Sequence, residues 1–259
     1  MVARSSIKIF LAVQKALFIR ELSMRFSTSK SGLFWTFFEP FMQVLAMVLV
    51  KLLLFGSASD SFDFGAFLAL NFTAYNLFKN IIQRSINSFE ANKALFIYKQ
   101  VKPIDTIFAR AMVEAYISAI IALMFIAIGL YFGYDLNVKN LPMVVLGVVI
   151  IILFAISASI LIAVLNHFNS SVGKITGIGL MFLMFGSAVF YTVDMLPYQM
   201  QQIILLNPVT HIMEIIHGYY FYTLDDKHVN YSYITLFIMS FLAIGLSLYK
   251  SSERKIVSS

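Results

Sequence analysis

Between Lys139 and Lys174 the chain reads NLPMVVLGVVIIILFAISASILIAVLNHFNSSVG, without one Asp, Glu, Lys or Arg. A helix needs roughly 20 apolar residues to cross about 30 Å of hydrocarbon, and the stretch from Leu141 to Leu165 is long enough. The same run argues against a transmembrane barrel, whose strands read as segments of about ten residues alternating apolar and polar. The fold class that follows is an all-α polytopic membrane protein.

Composition agrees over all 259 residues, of which 60% are apolar and 12% charged. A soluble domain is nearer half apolar and about a quarter charged. Too little polar surface remains here for an ordinary soluble enzyme, and a disordered chain is excluded too. The chain has no cysteine, so a disulfide framework, a thiol nucleophile and a thiolate metal site are also excluded.

Working outward from the charge-free run, six transmembrane helices are expected over 34–55, 64–82, 112–132, 141–165, 175–193 and 231–249. The second is polar for a span, with Asn71, Asn76, Lys79 and Asn80, which fits a helix facing protein rather than lipid. A further apolar stretch over 195–221 contains Pro197, Asn207-Pro208 and Gly218. Proline disfavours a continuous helix and pushes the preceding residue out of α geometry. Two short helices broken near Asn207-Pro208 are expected, forming a re-entrant hairpin on the outer side. The competing reading, a seventh span, would put the termini on opposite sides.

Basic residues set the orientation. One side collects sixteen, among them Arg4, Lys8, Lys15, Arg20, Arg25, Lys30, Lys79, Arg84, Arg110, Lys174, Lys250 and Arg254. The other side holds Lys51, Lys139 and Lys227 with Asp60, Asp63, Asp135, Asp194, Glu214, Asp225 and Asp226. Both termini are thereby placed in the cytoplasm, and the net charge of +6 needs no nucleic-acid partner. Lys8, Lys15 and Arg20 interrupt the first apolar run, so it does not read as a cleavable signal. Residues 5–30 read instead as an amphipathic helix on the inner membrane surface. Gln14 and Glu21 fall on its apolar stripe and spoil the pattern.

Catalytic machinery is hard to find. A phosphate-binding loop would end in Gly-Lys-Ser/Thr, but Ile175 follows Gly173-Lys174. His211, Glu214 and His217 are types that can ligate metal, yet three-residue steps turn the outer two about 120° apart on a helix. They read as a polar edge near water. Glu39 and Glu114 lie near span starts. Glu39 can face a helix N-terminus and Glu114 can pair with Arg110 one turn earlier. Spans four to six carry no carboxylate, which argues against a proton-coupled transporter. A membrane-bound glycan-modifying enzyme would have to recruit His167, His211 or His217, and no partner residues accompany them.

Two stretches point to interactions. Tyr191, Tyr198, Tyr219, Tyr220, Tyr222, Tyr231 and Tyr233 gather on the inferred outer side. They form an interfacial belt or a surface on which sugar rings can stack and slide. Over 90–105, Leu95, Phe96, Ile97 and Tyr98 stand among Lys93, Lys99 and Lys102 in a connection facing water. An apolar cluster with a charged rim is either a protein contact or a segment folded on the chain's own base.

The order of these parts resembles the permease of polysaccharide-exporting ABC transporters, of the capsule export type. Local matches are Phe34-Trp35 with Glu39-Pro40, Lys99-x-x-Lys102-Pro103, and Phe190-Tyr191 through Leu206-Asn207-Pro208. The resemblance implies a non-catalytic subunit in a homodimer around one glycan canal. It implies a separate cytoplasmic subunit that uses ATP and Mg, docked on a coupling helix containing Lys93, Leu95, Phe96, Ile97, Tyr98, Lys99 and Lys102. Arg20, Arg25, Lys30 and Trp35 would admit a lipid-linked polysaccharide from the inner leaflet. Tyr191, Tyr198, Asn207, Pro208 and Tyr219 would form the canal or its outer gate. Periplasmic and outer-membrane partners are implied for capsule export across two membranes. O-antigen and teichoic-acid exporters share the pattern.

Overall fold

The computed structural model describes residues 6–27, 30–55, 63–134 and 136–258. Arg4, Asp60 and Asp135 lie outside these residues, and so does the side chain of Lys30. Ten α-helices are found among the described residues: α1 (Ser6–Ser27), α2 (Lys30–Phe55), α3 (Phe64–Ser85), α4 (Ser88–Ala91), α5 (Pro103–Tyr131), α6 (Leu141–Phe168), α7 (Ser171–Phe185), α8 (Tyr198–Ile204), α9 (Pro208–Tyr220) and α10 (Tyr231–Ser258). Short 3₁₀ turns occupy Lys93–Ile97 and Val193–Met195.

The charge-free run becomes α6, the hub of the fold. Asn140 starts it by accepting the Met143 N–H, and Pro142 sits in the first turn, where a missing N–H is harmless. α3, α5, α7, α9 and α10 all pack on it. At the core Phe78 of α3 stacks on Phe154 of α6, and Phe241 of α10 meets Phe154 edge-on, with ring centroids 5.6 and 5.7 Å apart. α3 is inside the protein, as its polarity suggested, with Asn71, Tyr75 and Asn76 all buried.

Four described stretches are long and apolar enough to cross a membrane: Phe34–Leu53, Pro103–Tyr131, Leu141–Phe168 and Tyr231–Val257. Several expected boundaries move. α5 starts at Pro103 rather than 112, because Pro103 suits the first helical turn and Asp105 accepts the Lys102 N–H at 2.9 Å. α10 continues past Tyr249 to Ser258. The fifth helix ends at Phe185, well before 193, and Gly186–Thr192 continues without helix. The buried Ala188 there has φ +54°, a left-handed conformation that a residue with a Cβ rarely adopts. The segment 90–105 is not one helix. The Asn92 side chain donates to the Ser88 carbonyl at 3.0 Å, competing with helix continuation, and the chain turns there. The 195–221 stretch is broken over Leu205–Asn207, between α8 and α9.

Close approach of α10 to α6 depends on Gly245. A Cβ there would meet the Leu161 backbone nitrogen at 3.1 Å and Ile160 Cγ2 at 3.2 Å. Small residues let helices approach this closely in membranes. Gly245→Leu is expected to destabilise the fold by about 1–3 kcal/mol, the range for overpacking a filled interface. Thermal unfolding of the detergent-solubilised protein checks this as a lowered midpoint.

Candidate functional site

Along the C-terminal half of α3, beside Ile117–Ile121 of α5, a cavity of about 450 Å³ opens between α1, α2, α3 and α5. Its walls carry Arg25, Trp35, Glu39, Asn76, Lys79, Asn80, Gln83, Arg84 and Ser118. Two of the residues expected at a substrate entry, Arg25 and Trp35, are thus brought together. Arg20 is not: its guanidinium bonds to Asn92 Oδ1 at 2.5 Å. Trp35 meets Phe34 and Phe38 edge-on at the rim.

Glu114 stands just behind the cavity wall and is almost fully buried. Arg25 is ion-paired with it, and the Arg84 Nε lies 3.8 Å away. A carboxylate removed from water needs such partners, since its lone desolvation is prohibitive. The sequence offered Arg110 as the partner of Glu114. Arg110 instead pairs with Glu21 of α1 at 3.2 Å and also donates to the Arg84 carbonyl. Gln43 links the two other helices of the cavity, accepting from Asn76 at 2.8 Å and donating to Glu39 at 3.1 Å.

These pairs explain the two residues that disturbed the α1 pattern. Gln14 is buried and donates to the Asp105 carbonyl at 3.3 Å, and Glu21 accepts from both Arg110 and Asn92. Val13 and Leu17 pack with Ala109 beside them. The face turned to α5 is therefore mixed, and so is the exposed remainder, where Ile7, Phe10, Leu11 and Ile19 stand among Lys8 and Lys15, so α1 lacks the clean apolar stripe expected of an amphipathic helix.

The connection after α4 divides into anchor and tip. Phe96 is only 6% exposed and joins Phe89, Ile107, Val164 and Tyr249 in a small core. Leu95 is half-buried against α1 and α5 residues. Ile97 and Tyr98 project at 83% and 65% exposure, flanked by exposed Lys93, Lys99 and Lys102. The segment is thus both things the sequence allowed, folded on its own base at Phe96 and free at Ile97-Tyr98.

At the opposite end α9 props the unwound backbone after α7. Asn207 donates to the Gly186 carbonyl at 2.7 Å and to the Ser187 hydroxyl at 2.8 Å, and Thr210 donates to the same carbonyl at 3.0 Å. Glu214 accepts the Val193 N–H at 3.1 Å and lies 2.9 Å from His217 Nε2. Asn71 of α3 reaches the Val189 carbonyl at 3.3 Å. The polar edge expected near water is instead buried: His211, Glu214 and His217 are all interior. Both His211 ring nitrogens face carbonyls, of His228 at 2.8 Å and Leu205 at 2.9 Å, which leaves neither free for a metal. Tyr191 donates to the Phe185 carbonyl at 2.7 Å, close to the Asn207 contacts. Tyr198 and Tyr219 bond elsewhere, to Gln202 and Asp226. Pro208 opens α9. On the loop nearby, burial opposes the Asp194 charge, but Lys227 and His228 outweigh it and hold the carboxyl below its ordinary range.

The buried ion pair is open to a double-mutant cycle. Glu114→Leu strands Arg25 and is expected to destabilise by about 3–5 kcal/mol, whereas Glu114→Leu with Arg25→Met recovers most of that loss. Unfolding midpoints in detergent of these two variants and of Arg25→Met alone, set against the unaltered protein, measure the coupling.

The sequence pattern of the ABC-2 type transporter family matches residues 13–221, from within α1 to just past α9. Known proteins are similar along the whole length. The chain is 28% identical over 257 residues to the polysialic acid transport protein KpsM of Escherichia coli, covering 99% of this chain and 100% of that one. It is 26% identical to the capsule polysaccharide export inner-membrane protein BexB of Haemophilus influenzae, covering 98% and 97% of the two chains. The capsule polysaccharide export inner-membrane protein CtrC of Neisseria meningitidis is 25% identical, with 92% and 91% covered. With the family pattern running through nine of the ten helices that surround the cavity, the tip and the propped backbone, this chain belongs to the ABC-2 type transporter family.

Proposed function

We propose that the chain is the transmembrane subunit of an ATP-driven exporter that moves a lipid-linked capsular polysaccharide across the inner membrane. The observation that carries this reading is the end-to-end similarity to capsule export inner-membrane proteins of three organisms. A separate cytoplasmic subunit binds and hydrolyses ATP with Mg, and two copies of the permease form one canal.

Six crossings serve this role: α2, α3, α5, α6, α7 with its extension, and α10. α7 has 15 residues and rises about 22 Å, short of the roughly 30 Å of hydrocarbon. The Gly186–Thr192 stretch, which turns and bends rather than continuing the helix, carries the chain on, and α8 and α9 then form the re-entrant hairpin. Irregular backbone at that depth is tolerable only when protein surrounds it, and Asn71, Asn207, Thr210 and Glu214 supply that surrounding. The excess of basic residues at the end holding the cavity favours both termini in the cytoplasm.

Tip and cavity take separate tasks. Ile97 and Tyr98, rimmed by Lys93, Lys99 and Lys102, dock on the ATP-binding subunit. Phe96 and Leu95 root the tip in the permease, so movement of the docked subunit reaches the helices as rigid-body displacement. Arg25 and Trp35 mark the entry from the inner leaflet, and Tyr191, Asn207 and Pro208 belong to the outer gate, with Tyr198 and Tyr219 on its flank.

Three outcomes test this. Ile97→Asp or Tyr98→Asp is expected to lower co-purification of the ATP-binding subunit at least tenfold, with the permease unfolding midpoint unchanged. Phe96→Asp is expected to lower that midpoint, because it puts a charge in the small core. Trp35→Ala is expected to retain the ATP-binding subunit but reduce ATP-dependent uptake of lipid-linked glycan into inverted membrane vesicles. Uphill movement of glycan by the permease alone would overturn the reading.

A further inference from the structure

We propose that Asn166 is a positioning residue that ties the root of the docking tip to the start of α7, so that displacement at the tip reaches the outer backbone break through α7. The inference rests on the reading of Ile97 and Tyr98 as the docking site of the ATP-binding subunit, and adds the path by which that site acts on the outer end. Asn166 lies near the end of α6 and is 4% exposed. Its Nδ2 donates to the Ile86 carbonyl at 3.2 Å and to Asn87 Oδ1 at 3.0 Å. Its Oδ1 accepts the Gly173 N–H at 2.9 Å. A side-chain amide has two hydrogens to donate. Both are used here on the turn between α3 and α4, while the oxygen holds the first turn of α7. Three elements therefore meet on one side chain. Gly173 permits this, since a Cβ there would come within 2.7 Å of both Asn166 Oδ1 and Ile86 Cγ2. Asn87 immediately precedes α4, whose Phe89 shares the small core with Phe96, the anchor of the tip. What moves the tip moves Asn87, and through Asn166 it moves Gly173.

The rest of α7 is loosely held and can follow. Of its 15 residues only Leu180 is buried, while Ile175, Ile178, Met181, Phe182 and Phe185 are exposed. Near its middle Tyr75 of α3 donates to the Leu180 carbonyl at 2.5 Å. At 1.5 Å per residue that contact lies about 10 Å along the axis from Gly173 and about 9 Å from Gly186. α7 is thus a stiff rod pinned near its centre, with one end on the Asn166 joint and the other on the backbone break. A rod held in this way turns about the pin, and a shift at one end appears at the other with similar size and opposite direction. At the outer end Asn207 and Thr210 hold the Gly186 carbonyl, so the α8–α9 hairpin is carried with it. Small shifts of packed helices are the ordinary means by which one site moves another.

The chain has no cysteine, so single introduced cysteines report position without interference. Glu90→Cys marks α4 beside the tip and Ile203→Cys marks α8 at the outer end, both at exposed positions. The full-length permease with its ATP-binding subunit is placed in lipid nanodiscs. The rate at which each cysteine reacts with a water-soluble maleimide is measured with and without a non-hydrolysable ATP analogue. In the otherwise unaltered complex the analogue is expected to change both rates at least fivefold. Asn166→Ala is expected to preserve retention of the ATP-binding subunit and the change at Glu90→Cys, and to reduce the change at Ile203→Cys to less than twofold. Asn169→Ala removes a bond made within the α6–α7 connection, to the Ser171 N–H, and leaves both changes intact. Asn87 is exposed, so Asn87→Ala folds even where Asn166→Ala does not, and it is expected to halve the change at Ile203→Cys or more. A purely structural Asn166 would lower both responses together. That equal loss, a full response at Ile203→Cys in Asn166→Ala and Asn87→Ala, or no outer response in the otherwise unaltered complex overturns the proposal while the docking reading stands. Failure of the unaltered permease to retain the ATP-binding subunit overturns the docking reading and this proposal with it.

Discussion

A buried backbone amide or carbonyl without a partner is as expensive as a lost hydrogen bond, and in hydrocarbon no water can supply the partner. The stretch from Gly186 to Val193, much of it buried inside the protein, is where this chain meets the first of these costs. Helix stops there, Ala188 takes a left-handed conformation, and the neighbouring residues are buried. The freed groups are met one at a time by side chains: Gly186 O by Asn207 and Thr210, Val189 O by Asn71, the Val193 N–H by Glu214. Three elements distant in sequence are held in register by this requirement. The placement of α9 against α6 follows, tightened at Gly147, where a Cβ would meet Ile216 Cγ1 at 2.8 Å.

The same constraint assigns the buried polar residues of α3 and α9. Glu214 and His217 are costly to bury singly, but as a hydrogen-bonded pair with the Val193 N–H on the carboxylate they become a strut. Their chemistry is spent on the backbone they support. This separates the buried pair from the cavity at the other end, which Arg25, Lys79 and Arg84 line with positive charge.

How much could be read from the residues depended on range. α6 was legible because a charge-free run of that length has one physical solution, and the break at Asn207-Pro208 was legible because proline acts on its neighbours. The stop at Gly186 was not. The residues that follow, through Val193, carry no charge and still include Ala188, Val189, Phe190 and Val193, and an uncharged apolar run does not by itself show where a helix stops. Nor was the partner of Glu114 legible. Arg110 is the correct distance along α5, but Arg25 arrives from α1, a pairing that exists only once α1 lies across α5. For the cavity, Arg25 and Trp35 were marked, whereas Lys79 and Asn80 were counted only as a polar helix, Lys79 and Arg84 as orienting charge, and Gln83 not at all. Their spacing along α3 puts them near one another at a helix end, a signal that was present and unused.

What joins the cavity to the docking tip is a short chain of charged and amide groups. Arg25 and Arg84 face Glu114; the Arg84 carbonyl accepts from Arg110; Arg110 meets Glu21; Glu21 and Arg20 both hold Asn92, the residue that ends α4 and starts the turn to Ile97. Beside it, Val13 and Leu17 pack on Ala109, with Leu95 adding apolar contact. α1, the start of α5 and the root of the tip are therefore one packed body rather than three hinged pieces. A force applied at Ile97 and Tyr98 cannot shift α5 without carrying α1, and with it the wall of the cavity that Arg25 forms. Motion in such a body is that of packed elements with few alternative arrangements, not of a flexible loop. Under the proposed function, opening the inner-leaflet side and engaging an ATP-binding subunit would be two ends of one displacement.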